Sequence, residues 1–181
     1  NEAYVPPYGT GATLYIRPYM FGTNPVIGVK PADEYQFRMF CTPVGPYFKG
    51  GAKPITIKVS DFDRAAPHGT GHIKACLNYA MSLHAIVTAH QEGYDENMYL
   101  DAATRTKVEE TGGANFIFVT KDGTVVTPKS NSILPSITRR SLMVVAEKYL
   151  GLKVEHREVC FDEVKDFAEC GLCGTAAVIS P

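Results

Sequence analysis

The sequence feature that most constrains the fold is residues 69–83, where a glycine-rich turn leads directly into a long apolar stretch. Lys74 lies between the two. If its ammonium faced inward it would lose solvation, and its pKa would fall toward the range where the neutral amine attacks a carbonyl. Two arrangements are open. A helix that starts at Ile73 places Lys74 on a solvated polar stripe with Asn78 and Ser82, whereas a helix capped by Asn78 leaves Lys74 free to project into a cleft.

Composition favours a soluble globular protein. The 181 residues suffice for one substantial core and part of a second, and the formal charge of −1 gives no electrostatic reason to expect nucleic acid or a membrane as partner. Apolar runs are too short to span a bilayer. Five cysteines, an odd number in a chain that needs no disulfides, favour a reducing, cytoplasmic location. Because the first residue is not Met and neither end carries a tail, we expect a piece of a longer chain.

The hydrophobic pattern predicts an α+β fold (α and β mixed) that is rich in strands and does not alternate regularly. Pro18 would confine the first strand to an edge or a bulge, and residues 121–123 predict a hairpin turn. The expected strands are 13–21, 34–42, 55–60, 98–101, 115–120, 124–127, 153–158 and 176–179, and the expected helices are 78–92, 136–149 and 162–167. Residues 43–51 are dense in Pro and Gly and predict a linker between domains.

Two segments predict an anion site. Ser136, Ile137 and Thr138 stand at a helix start, where unpaired amides and the dipole favour negative charge, and a glycine with a hydroxyl recurs at Gly174 and Thr175. Together they could hold one phosphate. The alternative is that Ser136 and Thr138 only cap their helix and that Gly174 only turns the chain.

Two other groups of residues leave their chemistry open. Glu110, in a polar segment that ends in glycines, is either part of a solvated turn or the carboxylate that holds a protonated heterocyclic nitrogen. Cys170 and Cys173, with His156 and Cys160 upstream, have the residue types of a zinc site or a redox pair. The loose spacing favours plain thiols, so we expect no metal.

Five motifs occur together and in one order along the chain. They are Tyr15-Ile-Arg-Pro18, Gly69-Thr-Gly-x-x-Lys74-x-x-x-Asn-Tyr79, Glu110-x-Gly-x-x-Asn115, Leu134-Pro-x-Ile-Thr-Arg139 and Gly174-Thr-Ala176. In this combination the chain resembles the branched-chain amino-acid aminotransferases, which are pyridoxal 5′-phosphate enzymes of fold type IV. The resemblance extends from near residue 4 to Pro181.

The resemblance implies two domains. Residues 1–42 would end a small N-terminal domain and 43–51 would link it to a large domain at 52–181, a β-rich pseudobarrel flanked by helices and incomplete at its C terminus. The family's small domain also carries an arginine for the cofactor phosphate, which nothing here supplies. Some family members have a CxxC motif after the Gly-Thr-Ala motif, whereas Cys170 and Cys173 precede it. No redox role is therefore carried over to them.

The resemblance also implies a site for the cofactor. Lys74 matches the lysine that attaches covalently to pyridoxal phosphate and later carries the proton of the substrate's Cα. Glu110 matches the carboxylate that keeps the pyridine nitrogen protonated, and Tyr79 matches the hydroxyl near the phenolic oxygen. The matches to phosphate contacts are Ile137, Thr138 and Thr175.

The implied substrate contacts come from both domains. Thr175 and Ala176 match the amides that receive the substrate carboxylate. Tyr15 and Arg17 match the pair that reaches over the substrate side chain, where Arg17 could meet the distal carboxylate of glutamate or 2-oxoglutarate.

The resulting functional hypothesis is transamination of leucine, isoleucine and valine with 2-oxoglutarate in amino-acid metabolism, by a homodimer. One rival is another fold-type-IV enzyme, a D-amino-acid transaminase or an aminodeoxychorismate lyase. A second is a cofactor-free binding domain that uses Cys170 and Cys173 for metal or redox sensing.

Overall fold

The computed structural model describes residues 2–45, 53–176 and 178–181. The chain divides into two compact units, Asn1–Gly51 and Ala52–Pro181. The expected linker at 43–51 overlaps the last strand of the first unit, and its residues from 46 onward lie outside the described part.

The first unit is a long hairpin of two antiparallel strands, β1 (Thr13–Gly22) and β2 (Tyr35–Val44). Both strands were predicted. Pro18 lacks an amide hydrogen, and it is accommodated because β1, among the described strands, pairs with β2 alone and is an edge strand. No described residue of this unit is buried. The hairpin therefore has little core of its own.

The second unit contains most of the strands. A parallel pair joins β3 (Ile57–Val59) to β4 (Glu96–Met98), and a mixed five-stranded sheet has the order β7-β6-β5-β8-β9. The strands of that sheet are β5 (Asn115–Val119), β6 (Val125–Pro128), β7 (Val154–Arg157), β8 (Glu169–Gly174) and β9 (Val178–Ser180). The α+β class and the hairpin turn between β5 and β6 are confirmed, with Gly123 at a φ of 84°.

The core of this unit lies against the sheet and the loops that lead to it. Phe116 and Phe118 are fully buried and alternate along β5, where Phe118 stacks on Phe167 with ring centroids 4.6 Å apart. The other buried members of the cluster are Met98, Leu100, Val108, Val126, Val159 and Leu172. The core thus fixes β5, whose first residue is part of the candidate site described below.

The helices are few. The first, α1 (Cys76–Gln91), was expected at 78–92, and Gly93 follows it with a φ of 90°. The second, α2 (Ile137–Val144), continues as a π-helical turn at Val145–Tyr149, so the expected helix at 136–149 is regular only in its first half. A 3-10 helix at Phe161–Asp166 covers most of the third expected segment.

Strand β8 was not predicted from the sequence. It contains both Cys170 and Cys173, which stand three residues apart on an extended chain and so point to opposite faces of the sheet. Cys173 is buried and Cys170 is not. Side chains on opposite faces do not favour a disulfide or a shared metal between them, and the expectation of plain thiols stays a prediction.

Within the parts of the chain that the structure describes, no helix combines the length and hydropathy that crossing a bilayer requires. In the same residues, no three His, Cys, Asp or Glu side chains group together as ligands for a metal ion.

Candidate active site

Lys74 lies on the segment that leads into α1, two residues before the helix begins. Its Nζ donates a hydrogen bond to the hydroxyl of Tyr79 at 2.8 Å and lies 5.1 Å from the centre of that ring. The Lys74 side chain is exposed, so its ammonium does not face inward in this chain. The pairing of the two predicted residues places an amine and a phenol together at one accessible position.

The turn before Lys74 is held by Asn78. Neither expected helix start is correct, because α1 begins at Cys76 and Asn78 is a buried residue of its first turn. The Asn78 amide donates to the carbonyl oxygens of Thr70 at 2.9 Å and Ile73 at 2.8 Å. These two bonds fix the backbone just ahead of Lys74, and the lysine outside the helix is free to reach a ligand.

Glu110 is a buried carboxylate, 5 % exposed, and accepts several polar contacts. Its Oε1 lies 2.8 Å from Nη2 of Arg64 and accepts from the backbone amide of Leu134 at 3.0 Å. Its Oε2 accepts from the side-chain amide of Asn115 at 2.6 Å. Burial raises the pKa of Glu110 to about 7, although the Arg64 charge lowers it. The alternative of a solvated turn is therefore wrong.

This arrangement leaves Glu110 able to accept one further proton donor. An ionised carboxylate offers about four acceptor positions, two on each oxygen. Among the described residues, one N–H donates to each oxygen, and the Arg64 guanidinium adds an ion-pair contact to Oε1. Oε2, which lacks the ion-pair contact, therefore keeps a free acceptor position.

The start of α2, where the sequence predicts an anion site, begins with a capping serine. The Ser136 hydroxyl accepts from the amide of Arg139 at 3.2 Å, so this serine is a cap, as its alternative interpretation held. The backbone amides of Ile137 and Thr138 precede that of Arg139 in the first turn of α2, where backbone N–H groups have no carbonyl partner within the helix. Ile137 is exposed and Thr138 is half-buried.

Thr175 and Ala176 follow the end of β8 as an exposed turn. A Cβ placed on Gly174 would lie 3.7 Å from the carbonyl oxygen of Gly113 and 3.9 Å from Cβ of Ala114. The Gly174 turn is thus next to the segment that connects Glu110 to β5.

Tyr15 and Arg17 share one face of β1, as predicted. The Tyr15 hydroxyl accepts from Nε of Arg17 at 3.0 Å and from its Nη2 at 2.6 Å, and the guanidinium lies 5.2 Å from the ring centre. The pair is in the first unit, whereas Lys74 and Glu110 are in the second.

Sequence reasoning missed Arg64. This residue is 6 % exposed, pairs with Glu110 and also donates to the backbone carbonyls of Gly71 and Ser132. The available signal was an arginine at the end of a polar loop, followed at once by Ala-Ala-Pro and the glycine-rich turn. Asn115 stood in a quoted motif, but no role was given to it.

Comparison with known proteins identifies the family. The family described as amino-transferase class IV matches residues 4–181. The chain belongs to the class IV aminotransferases. A branched-chain-amino-acid aminotransferase of Helicobacter pylori is 53% identical over 186 residues, which is 100% of this chain and 54% of that protein. The chain thus spans about half the length of the curated relatives that it matches.

Solved structures agree with a class IV fold. A branched-chain aminotransferase from Thermoproteus uzoniensis with norvaline has a TM-score of 0.83 at 30% identity, over 93% of this chain and 56% of that one. A branched-chain amino acid aminotransferase from Thermobaculum terrenum in its PLP form has a TM-score of 0.76 at 30% identity, over 94% and 54%. The fold-type-IV assignment is confirmed.

The residues of this class IV aminotransferase fit pyridoxal 5′-phosphate. The cofactor carries an aldehyde, a phenolic oxygen, a ring nitrogen and a phosphate. The site offers an amine at Lys74, a phenol at Tyr79, a buried carboxylate with one acceptor position at Glu110, and a helix start with a hydroxyl at Thr138.

Proposed function

We propose that this protein transaminates the branched-chain L-amino acids with 2-oxoglutarate, using pyridoxal 5′-phosphate, and produces glutamate and branched 2-oxo acids. The observation that carries the proposal is that three motif segments meet at one guanidinium. Arg64 pairs with Glu110, donates to Gly71 in the turn before Lys74, and donates to Ser132 in the segment before α2. Family membership and the names of the relatives support the same conclusion.

Each cofactor residue would have a distinct task. When bound, pyridoxal phosphate supplies an electron sink for the electron pair that remains when the Cα proton leaves. Lys74 holds the cofactor covalently and then carries that proton, while Tyr79 hydrogen-bonds the phenolic oxygen and Glu110 keeps the ring nitrogen protonated. The phosphate contacts are the residues at the α2 start and after β8, namely Ile137, Thr138 and Thr175.

The substrate would be held at both ends. The amides of Thr175 and Ala176 receive its carboxylate. Tyr15 and Arg17 contact its side chain, and Arg17 binds the distal carboxylate of glutamate or 2-oxoglutarate through a charge-assisted hydrogen bond. One site would then serve an apolar and an acidic substrate.

The wider assembly belongs to the proposal as well. Residues 1–42 end a small domain, 43–51 link it, and 52–181 belong to the large cofactor-binding domain. The protein would act as a homodimer, which the exposed apolar side chains on the outside of α1 support. A cytoplasmic location agrees with its five free cysteines.

The test is an assay of the full-length protein supplied with pyridoxal phosphate, comparing L-leucine with D-alanine as amino donor to 2-oxoglutarate. We expect activity with L-leucine, and a loss of about 10²–10⁴-fold or more in Lys74→Ala because the proton carrier is gone. Lys148→Ala removes an exposed lysine elsewhere and should leave activity unchanged. A preference for D-alanine would instead support a D-amino-acid transaminase, and full activity in Lys74→Ala would refute the role of Lys74.

A further inference from the structure

Arg64 is a buried arginine whose contacts all run through one nitrogen. Its Nη2 donates to the carbonyl oxygens of Gly71, at 3.0 Å, and Ser132, and lies 2.8 Å from Oε1 of Glu110. Nε of Arg64 has no hydrogen-bond partner among the described residues. The two N–H groups of Nη2 thus donate to two backbone carbonyls, and the guanidinium charge forms an ion pair with the Glu110 carboxylate.

We propose that Arg64 is a positioning residue that favours the ionised form of Glu110 and fixes this carboxylate relative to the Lys74 turn and the α2 start. The inference rests on the proposed function, in which Glu110 faces the ring nitrogen of the cofactor. Gly71 is three residues before Lys74, and Ser132 is five residues before α2 begins. A shift of Arg64 would therefore move all three parts of the site relative to one another.

The charge balance around Glu110 depends mainly on Arg64. Desolvation favours the neutral carboxylic acid, and an adjacent positive charge opposes this. Arg139 of α2 also faces Glu110, but its Nη1 donates to the carbonyl of Pro128 at 2.8 Å. Glu109 adds a negative charge from the neighbouring position, and its own carboxylate accepts from Ser130 at 2.7 Å. Of these charged residues, Arg64 is the one in direct contact with the Glu110 carboxylate.

Close packing holds this arrangement in one geometry. A Cβ on Gly71 would lie 2.3 Å from the carbonyl oxygen of Ser132, 2.8 Å from Cβ of Ala65 and 2.9 Å from Nη2 of Arg64. Those distances are too short for any side chain, so glycine is required where the turn passes the guanidinium. The backbone of the Lys74 turn thus lies directly against Arg64.

The experiment is a double-mutant cycle in the full-length holoenzyme with Arg64→Met, Glu110→Gln and their combination. We expect Arg64→Met to lower kcat by about tenfold or more, and to shift the acidic limb of the pH–rate profile toward higher pH. In the Glu110→Gln background, Arg64→Met should lower kcat much less, because no carboxylate remains for Arg64 to hold. Arg64→Lys keeps the charge and should restore the pH profile of the wild type.

Two readouts do not depend on activity. The dissociation constant for binding of pyridoxal phosphate to the apoprotein should show the same non-additive pattern. The free energy of unfolding of the apoprotein should show it as well. Additive effects of the two substitutions, or a wild-type pH profile in Arg64→Met, would overturn the inference. If Arg64→Met does not fold, removing both partners should restore folding, because a neutral pair leaves no buried charge. A double variant that stays unfolded would also overturn it.

The same experiment separates this inference from the proposed function. If the wild type neither binds pyridoxal phosphate nor transaminates, the proposed function fails, while the apoprotein stability cycle still measures the pairing. If the wild type is active and the cycle is additive, only the role of Arg64 fails.

Discussion

At the scale of single residues, the Lys74 amine is exposed and the Glu110 carboxylate is buried. Lys74, Tyr79 and Glu110 could be named from motifs, and the Lys74–Tyr79 contact at 2.8 Å agrees with their spacing. The exposure of Lys74 and the burial of Glu110 could not be predicted. The surroundings of Glu110 depend on Arg64 and Leu134, which approach it from segments 46 and 24 residues away along the chain.

A pH dependence follows from the environment of Glu110. Its pKa is raised from 4.5 to about 7, so between these values the folded chain keeps a proton that the unfolded chain has released. The contribution of Glu110 to the free energy of unfolding therefore falls as pH rises through this window. The stability of the wild-type apoprotein relative to Glu110→Gln should fall by ~3 kcal/mol between about pH 5 and about pH 8.

Denaturant unfolding of the full-length apoprotein at several pH values measures this difference. Glu147→Gln, at an exposed position, controls for the loss of a carboxylate as such. A difference between wild type and Glu110→Gln that does not vary with pH would show that Glu110 does not titrate in this range.

At the scale of elements, α1 buries polar side chains and exposes apolar ones, unlike an ordinary surface helix. Asn78, Ser82, Ala85 and Ala89 form its buried face, so the polar stripe that could have faced water points inward. Outside this buried face, large apolar side chains are exposed at Leu77, Met81, Leu83 and Val87. The sequence predicts an apolar helix correctly, but the pattern alone does not say which face is covered.

The outer face of α1 predicts an effect on assembly. Leu83 and Val87 are 60% and 52% exposed and are one turn apart. If this face packs against a second copy, Leu83→Lys with Val87→Lys should weaken the dimer, because charged groups replace apolar surface at the contact. Gln91→Lys adds a charge to the same helix without removing apolar surface.

Sedimentation of the full-length protein over a range of concentrations measures the association. We expect the double variant to dissociate at concentrations where the wild type and Gln91→Lys remain dimeric. A dimer of unchanged strength in the double variant would mean that α1 packs elsewhere.

At the scale of the whole molecule, the sequence predicts the elements better than their arrangement. Among the described residues, the strand expected at 98–101 overlaps β4 only at Met98, whereas seven of the nine strands and the α+β class follow from local patterns. Strand β8 does not, because Cys170-Gly-Leu-Cys173 lacks the β-branched residues that mark a strand, and it becomes one by pairing with β5 and β9. The strand order and the meeting of three segments at Arg64 are long-range features that no local pattern contains.

The central claim is that Lys74, Glu110 and the α2 start surround one pyridoxal phosphate. The most direct measurement is borohydride reduction of the full-length protein with bound cofactor, followed by peptide mapping. The account predicts loss of the visible absorbance band, a mass increase of one phosphopyridoxyl group, and its location on Lys74. Attachment to another lysine, or no stable attachment to the wild-type protein, would contradict it.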